Sequence, residues 1–406
     1  MGRRWRRVAG LAAGLLAALA IGAAGGIYAD QAFPEYVPLI GAQRSSGTLD
    51  TATFDRAVKI LQADYYDPHF NYANLSHGSV KGLIQGLNDP FSYYLDPAEY
   101  QRQLNSYAGR YTGIGTEVSF KAEYPVIVQV FPGSPALTAG LMADDVILAI
   151  DGHDAHNLTA DQASALIRGP EGSTVLMKVK RGDQTLELTI RRAAISLPSV
   201  RSTRLEGGVF YIRVYTFDEN TAADFEKQLK AALAQPTPGI VLDLRDDGGG
   251  FIDAAQRVIS QFVTSGECFE LHDHTGKVDR RDVVGDHPAA TTPLVVLVNA
   301  NTASAAEMVS GSLRVHQRAR LVGVKTYGKG SVQQDFPLPD GSDLHITIRR
   351  WFLPDGSSVE KNGLDPNISV ALPAAGDMFD VSLPSPAHDK DSQLNAALKL
   401  LASPTS

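Results

Sequence analysis

The sequence predicts an α/β protein of several units: a layered α/β core, a β-rich insertion ahead of it and a helical region near the start of the chain. Three observations carry this. From 197 to 371 strand and helix patterns alternate, with strands at 209–215, 240–244 and 294–299 and helices at 222–233, 252–262 and 304–314. Between 111 and 195 short β-type runs at 126–130, 146–150, 175–180 and 185–191 are separated by Gly, Pro and Asp turns, with one helical stretch at 160–167. At 406 residues and 44% hydrophobic composition the chain exceeds one ordinary domain, so two or three packed cores are expected.

Taken in order, the elements begin with Arg3, Arg4, Arg6 and Arg7, followed by an uncharged run from 8 to 29. Residues 1–30 therefore read as a membrane-targeting segment, either a cleaved signal peptide or a retained anchor, with the remainder exported. Residues 51–108 form a helical N-terminal region, with Phe54, Val58, Leu61 and Tyr65 on one face. Asp89-Pro90 breaks that pattern, and Asp96-Pro97 restarts it with an N-cap acid and a proline in the first turn. The β-rich insertion spans 109–194 and the core 195–372. A Pro/Ala/Asp-rich linker and an amphipathic helix at 393–401 complete 373–406. The amphipathic faces at both ends fit self-association into a homo-oligomer as well as they fit intramolecular packing.

Bulk properties exclude several functions. The net charge is −8 and no Lys/Arg run follows residue 7, so no electrostatic footprint for nucleic acid exists. A single cysteine, Cys268, rules out an intramolecular disulfide and a polythiolate zinc site. His272-Asp273-His274 lacks further ligand spacing and reads as an exposed strand or loop, so no metal and no cofactor are assigned. A triad through His316 fails on distance: three helical turns beyond Ser304 amount to roughly 18 Å of rise.

Three segments point to acyl-transfer chemistry. In 298–307 a serine, Ser304, stands where a buried strand turns into a helix, at the positive end of the helix dipole and beside an Ala305 N–H free to face an oxyanion. The same Ser304-x-x-Glu307 spacing is that of a capping box. In 328–333 glycines frame Lys329 between two β-type runs. A lysine acts as a base only when burial brings its pKa down from about 10.4 toward roughly 7–8. Gln333, four residues on, would share its side of a regular strand and orient the amine. In 243–250 a buried strand ends in Gly248, Gly249 and Gly250, whose backbone N–H groups can line an oxyanion hole. A glycine-rich turn also cradles phosphate, but no P-loop pattern accompanies it.

These segments, in this order, resemble the carboxy-terminal processing (tail-specific) serine peptidases that carry a PDZ domain. The resemblance covers most of the chain from about 54 to 401. It implies a crotonase- and ClpP-like peptidase core with an inserted PDZ domain and a helical N-terminal collar. It further implies Ser304 as nucleophile, Lys329 as base, Gln333 as the base's partner, and Ala305 with Gly249 or Gly250 as the oxyanion hole. Asp246-Asp247-Gly248 departs from the Asn-Asn-Pro or Asn-Asn-Gly of many members, which sets an acid close to the oxyanion. Gly113, Ile114, Gly115 and Thr116 resemble the loop with which PDZ domains hold a C-terminal carboxylate. Expected partners are thus proteins or peptides with apolar C-termini, met in the periplasm or at the extracytoplasmic face of the inner membrane. Arg168 is a candidate for coupling this module to the core by pairing with Asp246 or Asp247, against the alternative of a solvated arginine. Two rival readings are a non-catalytic PDZ scaffold and a crotonase-like acyl-thioester enzyme, with which such peptidases share paired backbone N–H donors.

Overall fold

A computed structural model describes residues 49–67, 69–119, 123–131, 133–196, 198–371, 378–381 and 388–402. The targeting segment read at 1–30 lies outside them, and among the described residues no helix is long and apolar enough to cross a membrane. By its internal contacts the chain divides at residue 70. In the first unit the helix Ala52–Asp64 buries none of its residues, and Tyr65 packs against Phe70 with ring centroids 5.6 Å apart.

The second unit begins with the helices Tyr72–Gln85 and Pro97–Tyr107. The second starts where Asp96 and Glu99 exchange side-chain and backbone bonds of 2.8 and 3.0 Å, with Pro97 in its first turn. Between them the sequence pattern breaks at Asp89-Pro90, and the structure places there a strand, Tyr93–Leu95, which pairs antiparallel with Asp343–Phe352. The region after residue 70 thus contributes a strand to a sheet with the C-terminal half of the chain and is not purely helical.

The β-rich insertion is a sheet in the order Thr116–Ser119, Val126–Val130, Val146–Ile150, Thr174–Arg181, Gln184–Arg191. Along Thr174–Arg181, Val175, Met177 and Val179 are buried while their neighbours face out, as period-2 patterning requires. They join Ile127, Leu141, Ile147 and Ile190 in a separate core closed by the helix Ala160–Ile167. Thr116–Ser119 sits at one end of the sheet and leaves a backbone edge open.

The core proper is a six-stranded sheet in the order Val200–Arg204, Phe210–Val214, Ile240–Asp243, Leu294–Val298, Arg320–Gly323, Ile368–Ser369. Its first pair is antiparallel and the others parallel. The central strands are buried at every position because both faces are covered, and Leu294–Val298 is apolar throughout. Ile212, Leu242 and Val296 meet the helices Thr221–Leu233, Ile252–Ser260 and Ala305–Val315, whereas Tyr211, Val241, Val295 and Leu297 meet Phe379 and the helix Ser392–Ala402. A second sheet, Tyr93–Leu95, Asp343–Phe352, Glu267–Asp273 and Val278–Asp282, carries the additional strand Ser331–Pro337 on Asp343–Phe352.

The stretch read as a linker is structural where it is described. Phe379 is buried, its ring 4.8 Å from Tyr211, and Asp391 is fully buried. Asp391 accepts from Arg245 at 2.9 and 3.1 Å and from the backbone N–H groups of Phe379, Gln393 and Leu394. Arg245 in turn grips Asp243 through its Nε and Nη2. Burial pushes the Asp243 carboxyl up, but Arg245 and Arg213 outweigh it and hold the group below its ordinary value. Composition alone reads as a linker here because the apolar anchors are single residues in a polar stretch. The C-terminal helix likewise spends its apolar face, Leu394 and Ala397, inside the chain.

Candidate active site

Ser304 stands between Leu294–Val298 and Ala305–Val315 with φ 54° and ψ −117°. A non-glycine residue held there carries strain of order 1–3 kcal/mol, which persists only where the surroundings over-determine it. What imposes it is Glu307, one turn into the helix and fully buried. One carboxylate oxygen of Glu307 accepts the backbone N–H of Ser304 at 3.0 Å and of Lys329 at 2.9 Å. The other accepts the Thr326 hydroxyl at 2.6 Å and the Gly328 N–H at 2.8 Å. Four donors match the acceptor capacity of a carboxylate. Burial pushes the Glu307 carboxyl up, and the four bonds partly offset this. The capping-box spacing therefore does position Glu307, and the same residue ties the serine turn to the lysine loop, so the two backbone nitrogens lie within about 6 Å of each other.

Lys329 is held by its own backbone, whose carbonyl accepts the Trp351 indole N–H at 2.9 Å. Its ammonium nitrogen lies 4.9 Å from the Phe91 ring centroid. Burial lowers its pKa, and the nearby Asp89 works against that. Sequence reasoning marked Asp89 only as a helix breaker and missed Phe91 and Trp351, because these residues come from segments far from Lys329 in the chain.

Gln333 shares a cavity of about 570 Å³ with Ser304 and Lys329. The regular-strand argument for it does not hold in detail: the strand begins at Ser331 and its register shifts between Val332 and Gln333. The Gln333 amide nitrogen donates to Ser331 and Thr347 hydroxyls at 2.9 and 3.0 Å.

The glycine turn lies against the serine. A Cβ on Gly249 would fall 2.8 Å from the Ala305 nitrogen and from Ser304 Cβ, and one on Gly250 would fall 2.2 Å from the Phe217 carbonyl oxygen. Both have positive φ. The Gly249 N–H, a candidate oxyanion donor, donates instead to Asp247 at 2.8 Å. Among the described residues the N–H groups of Gly250 and Ala305 take no acceptor. Asp247 is fully buried, which pushes its carboxyl well up despite the Gly249 bond and Arg213, and its second oxygen has no partner. The acid beside the glycines is thus held toward its uncharged form. Asp246 is taken by the amides of Asn299 and Asn301 at 2.8 and 2.9 Å and by Arg213 at 3.8 Å.

Arg168 does not reach either aspartate. It caps Ala160–Ile167 with its backbone, and its exposed side chain makes no ion pair among the described residues. In the insertion, Ile114 is buried in the core and does not offer its side chain to a ligand. Its carbonyl accepts from Ala136, while Gly115, at φ 81°, lies against Ser134 where a Cβ would clash at 2.3 Å. Gly113 and Thr116 end and begin the strands Arg110–Gly113 and Thr116–Ser119, so 113–116 is a tight loop at the open sheet edge. His272 pairs with Glu270 at 2.8 Å and His316 with the Glu267 carbonyl at 2.8 Å, both outside the cavity.

Comparison with known proteins agrees in both regions. Residues 208–370 match peptidase family S41, and 126–181 match the PDZ domain. The carboxy-terminal processing protease CtpB of Bacillus subtilis is 32% identical over 79% of this chain and 67% of its own length. CtpA of the same organism is 30% identical over 82% and 72%, and the carboxyl-terminal-processing protease of Picosynechococcus is 34% identical over 80% and 79%. Among solved structures, the photosystem II D1 C-terminal processing protease superposes with a TM-score of 0.51 at 26% identity, covering 87% of this chain and 92% of that one.

Proposed function

Because this chain belongs to the carboxy-terminal processing serine peptidases of family S41, with a PDZ domain, we propose that Ser304 and Lys329 form its catalytic dyad. The observation that carries this reading is the single Glu307 oxygen that takes both residues' N–H groups beside one cavity. In the proposed reaction the neutral Lys329 amine accepts the Ser304 hydroxyl proton as Oγ attacks the scissile carbonyl. Gln333, its amide nitrogen engaged by two hydroxyls, presents its carbonyl oxygen to the amine. The oxyanion is held by the Ala305 N–H and the Gly250 N–H, since the Gly249 N–H is occupied. The proton passes to the leaving amine, and water, deprotonated by Lys329, releases the acyl-enzyme.

Substrate tails, on this reading, add as a strand to the open edge of Thr116–Ser119, with their carboxylate on the backbone N–H groups of 113–116. Ile114 shapes that loop from within the core, so any preference for apolar tails comes from partly exposed neighbours such as Val118. The layered core supports a crotonase- and ClpP-like ancestry, and the arginine-led apolar start of the chain supports action at the outer face of the inner membrane.

The test uses a chain starting at residue 49 and an unstructured protein with an apolar C-terminus, with products read by mass spectrometry. Cleavage by the parent, and a loss of at least about 10³-fold in kcat for both Ser304→Ala and Lys329→Ala, is expected. Retained activity in either variant would refute the dyad. Tail binding without cleavage in the parent would favour a scaffold.

A further inference from the structure

The catalytic cavity has a second wall that the dyad does not use. It is lined by Tyr93, Gln103, Tyr107, Asp335 and His345. The bonds along it run in one direction. Tyr93 donates its hydroxyl to the Gln103 carbonyl oxygen at 3.2 Å, and the Gln103 amide donates to the Tyr107 oxygen at 2.6 Å. The Tyr107 hydroxyl lies beside Asp335: burial first, and then the Asp335 charge, push it well up. His345 Nδ1 meets the same carboxylate at 2.5 Å, and the imidazole stacks on Tyr93 with centroids 4.5 Å apart and planes 20° from parallel. Asp335 is therefore a fixed acceptor, only 18% exposed, on which no lysine or arginine of the described chain is placed. Asp343, opposite Pro337 on the paired strand, is fully buried with both oxygens unpartnered, and burial and then Asp335 push its carboxyl up to about 6.

Asp335, the carboxyl that lines this wall, makes it electronegative. The tyrosines record it: burial first, and then Asp335 and Asp343, push the hydroxyls of Tyr93 and Tyr100 up. A carboxylate met by the His345 ring on one oxygen keeps acceptor sites free, and a flat stacked ring pair beside it suits the face of a cation. From this geometry we infer that the wall is a specificity subsite for a basic substrate side chain, lysine or arginine, close to the scissile bond, with Asp335 as its counter-ion. The inference rests on the assignment of Ser304 as nucleophile in the same cavity. Asp335 is held in register by the hairpin Ser331–Pro337 with Asp343–Phe352, in which it pairs directly with His345.

The test scans one residue through the three positions on either side of the cleavage site of a peptide with an apolar tail, as lysine, norleucine or glutamate. At one position lysine is expected to exceed norleucine by at least tenfold in kcat/KM, with glutamate the slowest. That advantage shrinks as salt is raised. Asp335→Asn is expected to bring the lysine-to-norleucine ratio to near one, while Asp335→Glu retains part of it. Because the ratio in the parent is itself diagnostic, a poorly folding variant does not rescue the idea. Ser304-dependent cleavage with no lysine advantage at any position, or with glutamate preferred, overturns the subsite and leaves the dyad standing. Failure of the parent to cleave every peptide overturns both.

Discussion

One oxygen of Glu307 accepts the backbone N–H groups of Ser304 and Lys329, the proposed nucleophile and base, so its replacement tests geometry separately from chemistry. Glu307→Gln keeps the shape but turns half of the acceptor capacity into donors facing N–H groups. Leaving a buried donor unpaired costs about 1–3 kcal/mol. Steady-state kinetics should show kcat reduced by roughly 10- to 100-fold with KM little changed, since the cavity wall remains. Lys329 offers a second check. Burial lowers its pKa while Asp89 opposes this. Activity needs the free amine, so kcat/KM should rise as pH rises through that lowered value. Removing the negative charge with Asp89→Asn withdraws support from the ammonium, and the acidic limb of the pH–rate profile should move to lower pH. An acidic limb that stays in place would show that another group controls it.

At the scale of elements, what could be read from sequence was what periodicity and turn chemistry encode locally. The strands 126–130 and 146–150 stand where short β-type runs between turn residues put them, and Asp96 caps its helix as its proline neighbour implied. The serine-to-helix and glycine turns were legible because a serine ahead of a helix and a run of glycines mark such junctions by residue type. Tyr93–Leu95 was not, since three residues carry no period, and its strand character comes from pairing with a segment some 250 positions away. The bulge at Val332/Gln333 and the capture of the Gly249 N–H by Asp247 are likewise set by partners outside any sequence window. The glycine turn allows a test at this scale. At Gly250, φ is 143° and a Cβ would press on the Phe217 carbonyl. Gly250→Ala should displace the turn and lower kcat by at least tenfold, and it should also reduce Tm by several degrees. Unchanged kinetics would remove Gly250 from the oxyanion hole.

For the molecule as a whole, the buried cluster of Asp243, Arg245 and Asp391 fastens Phe379 and the start of the helix Ser392–Ala402 to the strand that leads into the glycine turn. Removing one partner of such a pair costs about 3–5 kcal/mol. A chain stopped at residue 371 leaves Arg245 short of Asp391 and Gln393. It is expected to lose at least tenfold in kcat although every residue of the dyad and its support is present. Added peptide 372–402 should restore part of it, and full activity in the shortened chain would show the brace to be dispensable.

That brace also sets an order of events. In synthesis Ser304 and Lys329 emerge before Asp391. Until Asp391 arrives, Arg245 lacks one of its two carboxylate partners and the oxyanion turn lacks its anchor. On the proposed reading a growing chain carries its dyad before that anchor exists, and the segment least recognisable as catalytic is the one whose arrival completes the support of the glycine turn.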